Sequence, residues 1–154
     1  MALSVVMTSG NDEKIKKAVE EGAFMEVNYR DTNWPDKLKN SLRRREIDLT
    51  LGSNGGPGFV HLTKLIRPGG RIIFFGATRG NPSEINLRQI FWKQIIPQRT
   101  TMGTAKDFSG MIRLFEVHQI RPMIDSTYDL TDFRKAYQRM LNAEQFEKIV
   151  LKTS

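Results

Sequence analysis

The run Arg71-Ile72-Ile73-Phe74-Phe75 constrains the fold of this chain more than any other feature. Successive side chains of a strand point to opposite faces, so four consecutive apolar residues place apolar groups on both. A strand of that kind asks for cover above and below, the situation of a parallel sheet flanked by helices. It is bounded by turn signals, Arg67-Pro68-Gly69-Gly70 before it and Gly76-Ala77-Thr78-Arg79-Gly80 after it.

The same alternation of short strand and helix runs along the chain. Leu3–Met7 reads as a strand ended by Thr8-Ser9-Gly10-Asn11, and a helix follows from Asp12 with Ile15, Ala18 and Val19 on one face and Gly22 as its stop. Met25–Tyr29 is a second strand, and Trp34-Pro35 opens a basic helix. Ile47–Leu51 is a third strand, closed by Gly52-Ser53-Asn54-Gly55-Gly56-Pro57-Gly58. Phe59, Leu62, Leu65 and Ile66 then form a buried helical stripe that leads to the strand at Arg71–Phe75. Helix signals return over Leu87–Gln94, strand signals over Ile95–Thr101, and helix signals over Asp107–His118 with a stripe of Phe108, Met111, Ile112 and Phe115 expected in the core. The last part has an extended Pro122–Asp125, a helix capped by Thr131 carrying Phe133, Ala136, Tyr137 and Met140, and a strand at Lys148–Leu151. The fold class is α/β, a doubly wound parallel sheet with right-handed crossovers.

The chain has 154 residues, enough for a sizeable core, and no cysteine, which removes disulfides and cysteine-ligated zinc or iron–sulfur sites. Only His61 and His118 remain as imidazole ligands, so no histidine-rich metal site is expected. No apolar stretch reaches membrane length and the N-terminus lacks a signal-peptide layout, so a cytoplasmic protein is the expectation. Twenty-four Lys plus Arg against 17 Asp plus Glu give +7, which raises the question of nucleic acid. The basic residues are scattered, however, and the cluster Arg43-Arg44-Arg45 falls where cations complement a helix C-terminus. A nucleic-acid partner is not expected.

In a parallel sheet of this kind, ligands bind beyond the carboxyl ends of the strands. Three loops qualify: Thr8-Ser9-Gly10-Asn11, Ser53-Asn54-Gly55-Gly56 and Gly76-Ala77-Thr78. The G-x-G-x-x-G phosphate fingerprint is absent. For NAD, an Asp or Glu at a strand end accepts hydrogen bonds from the adenosine ribose. The corresponding region here holds Ser9-Gly10-Asn11, with Lys14 one turn into the helix. A 2′-phosphate would be repelled by a carboxylate and attracted by Ser9, Lys14 and the helix N-terminus, so a bound dinucleotide would be NADP. No catalytic set emerges. Ser53 has no His or Asp at motif spacing, no G-x-S-x-G elbow occurs, and Asp48 lies at the wrong end of its strand.

Taken in order, these segments resemble the medium-chain dehydrogenase/reductase superfamily, in its zinc-type alcohol dehydrogenase and quinone-oxidoreductase-like branch. The matching residues include Thr8 through Lys14, Gly22-Ala23, Asn28-Tyr29-Arg30, Asp48 through Gly56, Arg67 through Arg71 and Phe75 through Thr78. Further along they include Phe91 through Gln94, Thr100 through Thr104, Pro122 through Asp125 and Lys148 through Leu151. The resemblance implies an incomplete Rossmann-type cofactor-binding domain over 1–119 and a tail over 120–154 that packs on a catalytic domain. It implies that Ser9, Gly10, Lys14 and Tyr29 surround the adenosine 2′-phosphate, and that Ser53, Gly76, Ala77 and Thr78 approach the rest of an NADP cofactor. It also implies a homo-oligomer formed through the edge strand at Ile95–Thr101. No catalytic residue is implied within this chain.

Two departures accompany the resemblance. The chain begins at what looks like the family's second Rossmann strand, without the first strand and its glycine-rich turn. In the order 3-2-1-4-5-6 the first strand is central, so the strands at Leu3–Met7 and Ile47–Leu51 are expected to lack a partner on one side. A neighbouring chain or a missing domain would have to close the gap. The family also carries an acidic residue where Gly52 stands, and glycines where Arg99 and Glu147 stand, which predicts strain at those two positions. The leading expectation is the cofactor-binding portion of an NADP-dependent oxidoreductase acting on a carbonyl, alcohol, quinone or enone, inactive alone. The alternatives are a Rossmann-like methyltransferase fragment, suggested by Leu65 through Arg71, and a non-catalytic oligomeric interaction module.

Overall fold

The computed structural model describes residues 3–153. They form two compact units, Met1–Met102 and Gly103–Ser154.

In the first unit, β1 (Val6–Ser9) is joined to β2 (Met25–Asn28) by α1 (Asp12–Glu20), and the two strands pair in parallel. Asn11 caps α1, its Oδ1 accepting from the amides of Glu13 and Lys14 at 2.8 and 3.1 Å. β1 lies later than the sequence suggests, because Phe24 donates to the Val5 carbonyl and Tyr29 to that of Ser9, which draws Thr8 and Ser9 into the ladder. α2 (Trp34–Leu42) then leads to β3 (Ile47–Gly52), α3 (Phe59–Leu65), β4 (Ile66–Phe74), α4 (Leu87–Trp92) and β5 (Ile96–Arg99). These last three strands form a parallel sheet in the order β3-β4-β5.

Ile66 is not a helical residue. It caps α3 and opens β4, which runs through Pro68 and both glycines. Its side chain is nonetheless buried, packed with Ile72 and Ile95 beneath Phe59, Leu62 and Ile90. The expected cover on both faces of the apolar strand is also only half realised. Ile72 is buried, while Phe74 and Phe75 are largely exposed.

A second cluster, Val27, Trp34, Leu38 and Leu42, packs against Val6 of β1 and Ile47 of β3. It ties the two sheets together below α2. Above that cluster β1 and β3 are not hydrogen-bonded partners. The continuous sheet of a complete doubly wound fold is thus interrupted where its central strand would run.

The second unit consists of α5 (Ala105–His118), β6 (Ile124–Asp129), α6 (Phe133–Leu141) and β7 (Lys148–Lys152), with β6 and β7 parallel. Thr104 and Asp107 form a reciprocal capping box at the start of α5. Thr131 does not cap α6. It sits in a single turn of 3-10 helix, Leu130–Asp132, and Asp132 takes the cap position. Within this unit Ala136 is buried, whereas Phe108, Met111 and Ile112 are exposed, contrary to the core role their spacing suggests.

Candidate functional site

The carboxyl ends of β1 and β2 meet at Gly10. A Cβ built there would lie 2.9 Å from the Tyr29 hydroxyl and 3.0 Å from Nε of Arg30, so only glycine leaves room beside these two groups. Ser9 ends β1, and its hydroxyl accepts from the Asn11 amide at 3.3 Å. Lys14 stands in the first turn of α1, where the helix N-terminus itself favours negative charge. This corner therefore gathers a hydroxyl, a phenol, a guanidinium and a helix end, with Lys14 one turn away. Two nearby carboxylates have partners, Asp12 accepting from Nδ2 of Asn28 at 2.6 Å and Asp31 pairing with Lys37, while Glu13 stands beside Lys14 in the first turn of α1. The Lys37 ammonium, followed by the Asn33 amide, holds the Asp31 carboxyl below its ordinary range.

A second corner forms at the ends of β3 and β4. Thr78 donates its amide to the Ser53 carbonyl at 3.4 Å, and Arg79 donates to the Asn54 carbonyl at 2.8 Å. The Gly56 amide donates to the Gly80 carbonyl at 2.7 Å, so this amide is already engaged within the loops. The two loops lie so close that a Cβ on Gly55 would approach the Gly80 carbonyl to 2.6 Å, and one on Gly76 the Ser53 carbonyl to 2.7 Å. Asn54 accepts from the hydroxyls of Ser53 and Thr78 at 3.2 and 3.4 Å. Ala77 packs beside Gly55.

Between the corners lies a cavity of about 720 Å³. Val6, Met7 and Thr8 line one side, Leu51, Gly52 and Ser53 the other, and Trp34, Phe59, His61 and Leu62 contribute from the helices. Among the described residues Arg79 is the one Lys, Arg, Asp or Glu on its lining, and its guanidinium lies 5.6 Å from the ring centre of Tyr29 across the mouth. Of the eight sequence candidates, Tyr29, Ser53, Gly76 and Ala77 border this cavity, while Ser9, Gly10, Lys14 and Thr78 stand outside its lining. Arg30 and Arg79 were not among the candidates. Each directly follows one that was, Tyr29 in one loop and Thr78 in the other, and that adjacency was the available signal.

His61 stacks edge-on to Trp34, ring centres 5.5 Å apart, within α3. Asp48 bonds Arg67 at 2.6 Å, at the amino end of β3 and away from both corners. Of the two expected strained positions, Glu147 takes φ 76°, the left-handed region, whereas Arg99 ends β5 without a positive φ.

A sequence model described as zinc-binding dehydrogenase matches residues 22–151, and the chain belongs to that family. It is 29% identical, over 98% of its length, to the zinc-type alcohol dehydrogenase-like protein YogA of Leptosphaeria maculans, of which it covers 44%. It is 28% identical over 92% of its length to the quinone oxidoreductase of Rattus norvegicus, again covering 44% of that protein. Among solved structures, a putative alcohol dehydrogenase from Sinorhizobium meliloti 1021 superposes with a TM-score of 0.85 at 26% identity, over 96% of this chain and 41% of that one. The chain therefore spans less than half the length of the proteins it resembles. Zinc does not fit the residues present: there is no cysteine, and among the described residues no group of three His, Asp or Glu side chains is placed to hold a metal.

Proposed function

We propose that this chain is the NADP-binding portion of an oxidoreductase in which hydride passes between the nicotinamide and a carbonyl, alcohol, quinone or enone. The observation that carries the reading is the corner at Gly10, where the Tyr29 hydroxyl and the Arg30 guanidinium close on the end of β1 beside the N-terminus of α1. A ribose carrying a 2′-phosphate suits such a corner, because a dianion gains charge-assisted hydrogen bonds from Arg30, Lys14 and the hydroxyls of Ser9 and Tyr29.

When bound, the nicotinamide supplies the hydride chemistry. The chain's own residues bind and orient. Ser9, Gly10, Lys14 and Tyr29 receive the adenosine end. Ser53, Gly76, Ala77 and Thr78 would receive the remainder, on loops that close together because the Ser53 carbonyl takes the place of a Gly76 Cβ. No side chain in either corner forms a nucleophile–base pair, so substrate chemistry requires groups from outside residues 1–154. The relatives' greater length supports that division. The outer edge of β5, exposed along its length, suits pairing with a second copy.

The test is a calorimetric titration of the purified chain with NADPH, NADH and S-adenosylmethionine. NADPH binding at least ~10-fold tighter than NADH, a difference of about 1.4 kcal/mol, is the expected result. Preference for S-adenosylmethionine would replace this reading with a methyltransferase one. Binding of none of the three would leave an interaction module.

A further inference from the structure

Asn54 is the one asparagine of this chain that is followed by glycine. An asparagine side chain loses ammonia when the next main-chain nitrogen attacks its Cγ, and glycine leaves that attack unhindered because it has no Cβ. Asn54 is exposed, so water reaches the pair. The main chain is pinned on both sides of the attacking nitrogen. The Asn54 carbonyl accepts from the Arg79 amide at 2.8 Å, and the Gly56 amide donates to the Gly80 carbonyl at 2.7 Å. The Gly55 amide between them donates to no described residue. Gly55 itself takes φ 61°, which glycine adopts without strain.

The group under attack is prepared as well. Asn54 Oδ1 accepts from the Ser53 hydroxyl at 3.2 Å and from the Thr78 hydroxyl at 3.4 Å. Attack at Cγ turns this oxygen into an oxyanion, so two donors already aimed at it stabilise the charge as it develops. They also hold the side chain in one orientation, which shortens the search for the reacting geometry. Asn40 makes the contrast. It is followed by serine and lies inside α2, whose hydrogen-bond ladder occupies the Ser41 amide.

We infer that Asn54-Gly55 is a site of intramolecular deamidation, promoted by the hydroxyls of Ser53 and Thr78. Hydroxide removes the Gly55 amide proton, and the nitrogen forms a bond to Cγ of Asn54. The bond from Cγ to the side-chain nitrogen breaks, and ammonia leaves with a proton from water, giving a cyclic succinimide. A water molecule then opens the ring at either carbonyl to aspartate or isoaspartate, with no oxidation or reduction. Isoaspartate routes the main chain through the side chain and lengthens it by a carbon. The loops leave no room for that, since a Cβ on Gly55 would already approach the Gly80 carbonyl to 2.6 Å. The product therefore opens the loop pairing at Gly56 and Arg79. This inference does not depend on the cofactor reading, and its test uses no nucleotide.

The full chain is incubated in mildly alkaline buffer and sampled by peptide mass spectrometry, with isoaspartate read by an isoaspartyl methyltransferase. Asn54 should gain about one dalton at least ~10-fold faster than Asn40. Thr78→Val keeps the side-chain shape and removes a donor, and should slow the reaction at Asn54 by ~3-fold or more. That is less than the ~10²-fold of a preorganised oxyanion hole, because these hydrogen bonds are long. Ser53→Ala should act in the same direction, and Thr78→Ser should restore the rate. In the isoaspartate product, amide exchange at Gly56 and Arg79 should quicken by ~10-fold. Three results would overturn the inference. They are an Asn54 that changes no faster than Asn40; an equal or faster rate in both donor variants, which makes loop looseness and not the hydroxyls the cause; and unchanged exchange in the product, which leaves the corner indifferent to the modification.

Discussion

Gly10 and Glu147 show how much one backbone position can decide. At Gly10 the missing side chain lets the Tyr29 hydroxyl and the Arg30 guanidinium pack within 2.9–3.0 Å of where a Cβ would stand. Gly10→Ala should weaken NADPH binding by ~10-fold or more, about 1.4 kcal/mol, with the urea midpoint little changed. An unchanged affinity would remove Gly10 from the site. Glu147 presents the converse. A side chain at φ 76° costs roughly 1–2 kcal/mol, partly offset in a glycine variant by the added entropy of its unfolded chain. Glu147→Gly should therefore raise stability by about 0.5–1 kcal/mol, read as a higher urea midpoint with the same slope. The sequence pointed to Glu147 through the glycine that the family resemblance implies at that position. It did not reach Arg30 or Arg79, whose one local signal was adjacency to Tyr29 and Thr78.

At the scale of elements, polar side chains that tie strands to helices carry energetic weight that periodicity does not reveal. Lys93, just beyond α4, donates to the carbonyls of Thr63, Lys64 and Ile66 at 3.2, 2.8 and 2.9 Å, fixing the end of α3 against the start of β4. Burial, and then the Lys39 charge, lower its pKa below the ordinary lysine value. Lys93→Met keeps the stem but leaves those carbonyls unserved, and should cost about 1.5–3 kcal/mol by chemical denaturation. In the second unit Asp125, 6% exposed, accepts two hydrogen bonds from Arg139 at 2.7 and 3.1 Å and one from the Phe146 amide at 2.9 Å. The Arg139 guanidinium first, then the Phe146 amide, hold this carboxyl far below the ordinary carboxylate range. A depressed folded-state pKa contributes stability that is present above the unfolded value, about 3.9, and fades as pH falls below it toward the folded value. Thermal melts from pH 7 to pH 2 should therefore show an acid-side loss that Asp125→Asn diminishes, after an initial cost of about 2–3 kcal/mol at neutral pH. Parallel melts of wild type and variant at every pH would contradict this. The helices were legible from apolar spacing and stop signals, as at Ile15, Ala18 and Gly22, whereas the caps were not, since Asn11 and not a residue named from sequence caps α1 and Asp132 replaces Thr131 at α6. The end of α3 was not, because Ile66 fits a helical stripe and a buried strand equally well.

For the molecule as a whole, parallel pairing and the α/β class were legible because βα alternation leaves few other arrangements. What covers the apolar surfaces was not. Periodicity states that Phe108, Met111 and Ile112 share a face of α5, yet cannot say whether this chain supplies the cover, and all three are exposed. Phe91 and Trp92 on α4 are likewise 72% and 75% exposed. On the proposed reading, an open sheet with exposed apolar faces and two loop corners is a cofactor-binding portion that keeps its adenosine corner while substrate chemistry lies elsewhere. The adenosine half of the cofactor isolates that claim. Nuclear magnetic resonance titration of the labelled chain with 2′,5′-ADP and with 5′-AMP should shift the amides of Ser9, Gly10, Lys14, Tyr29 and Arg30. The phosphorylated nucleotide should bind at least ~10-fold tighter. Equal affinity for the two nucleotides, or shifts confined to other residues, would contradict the account.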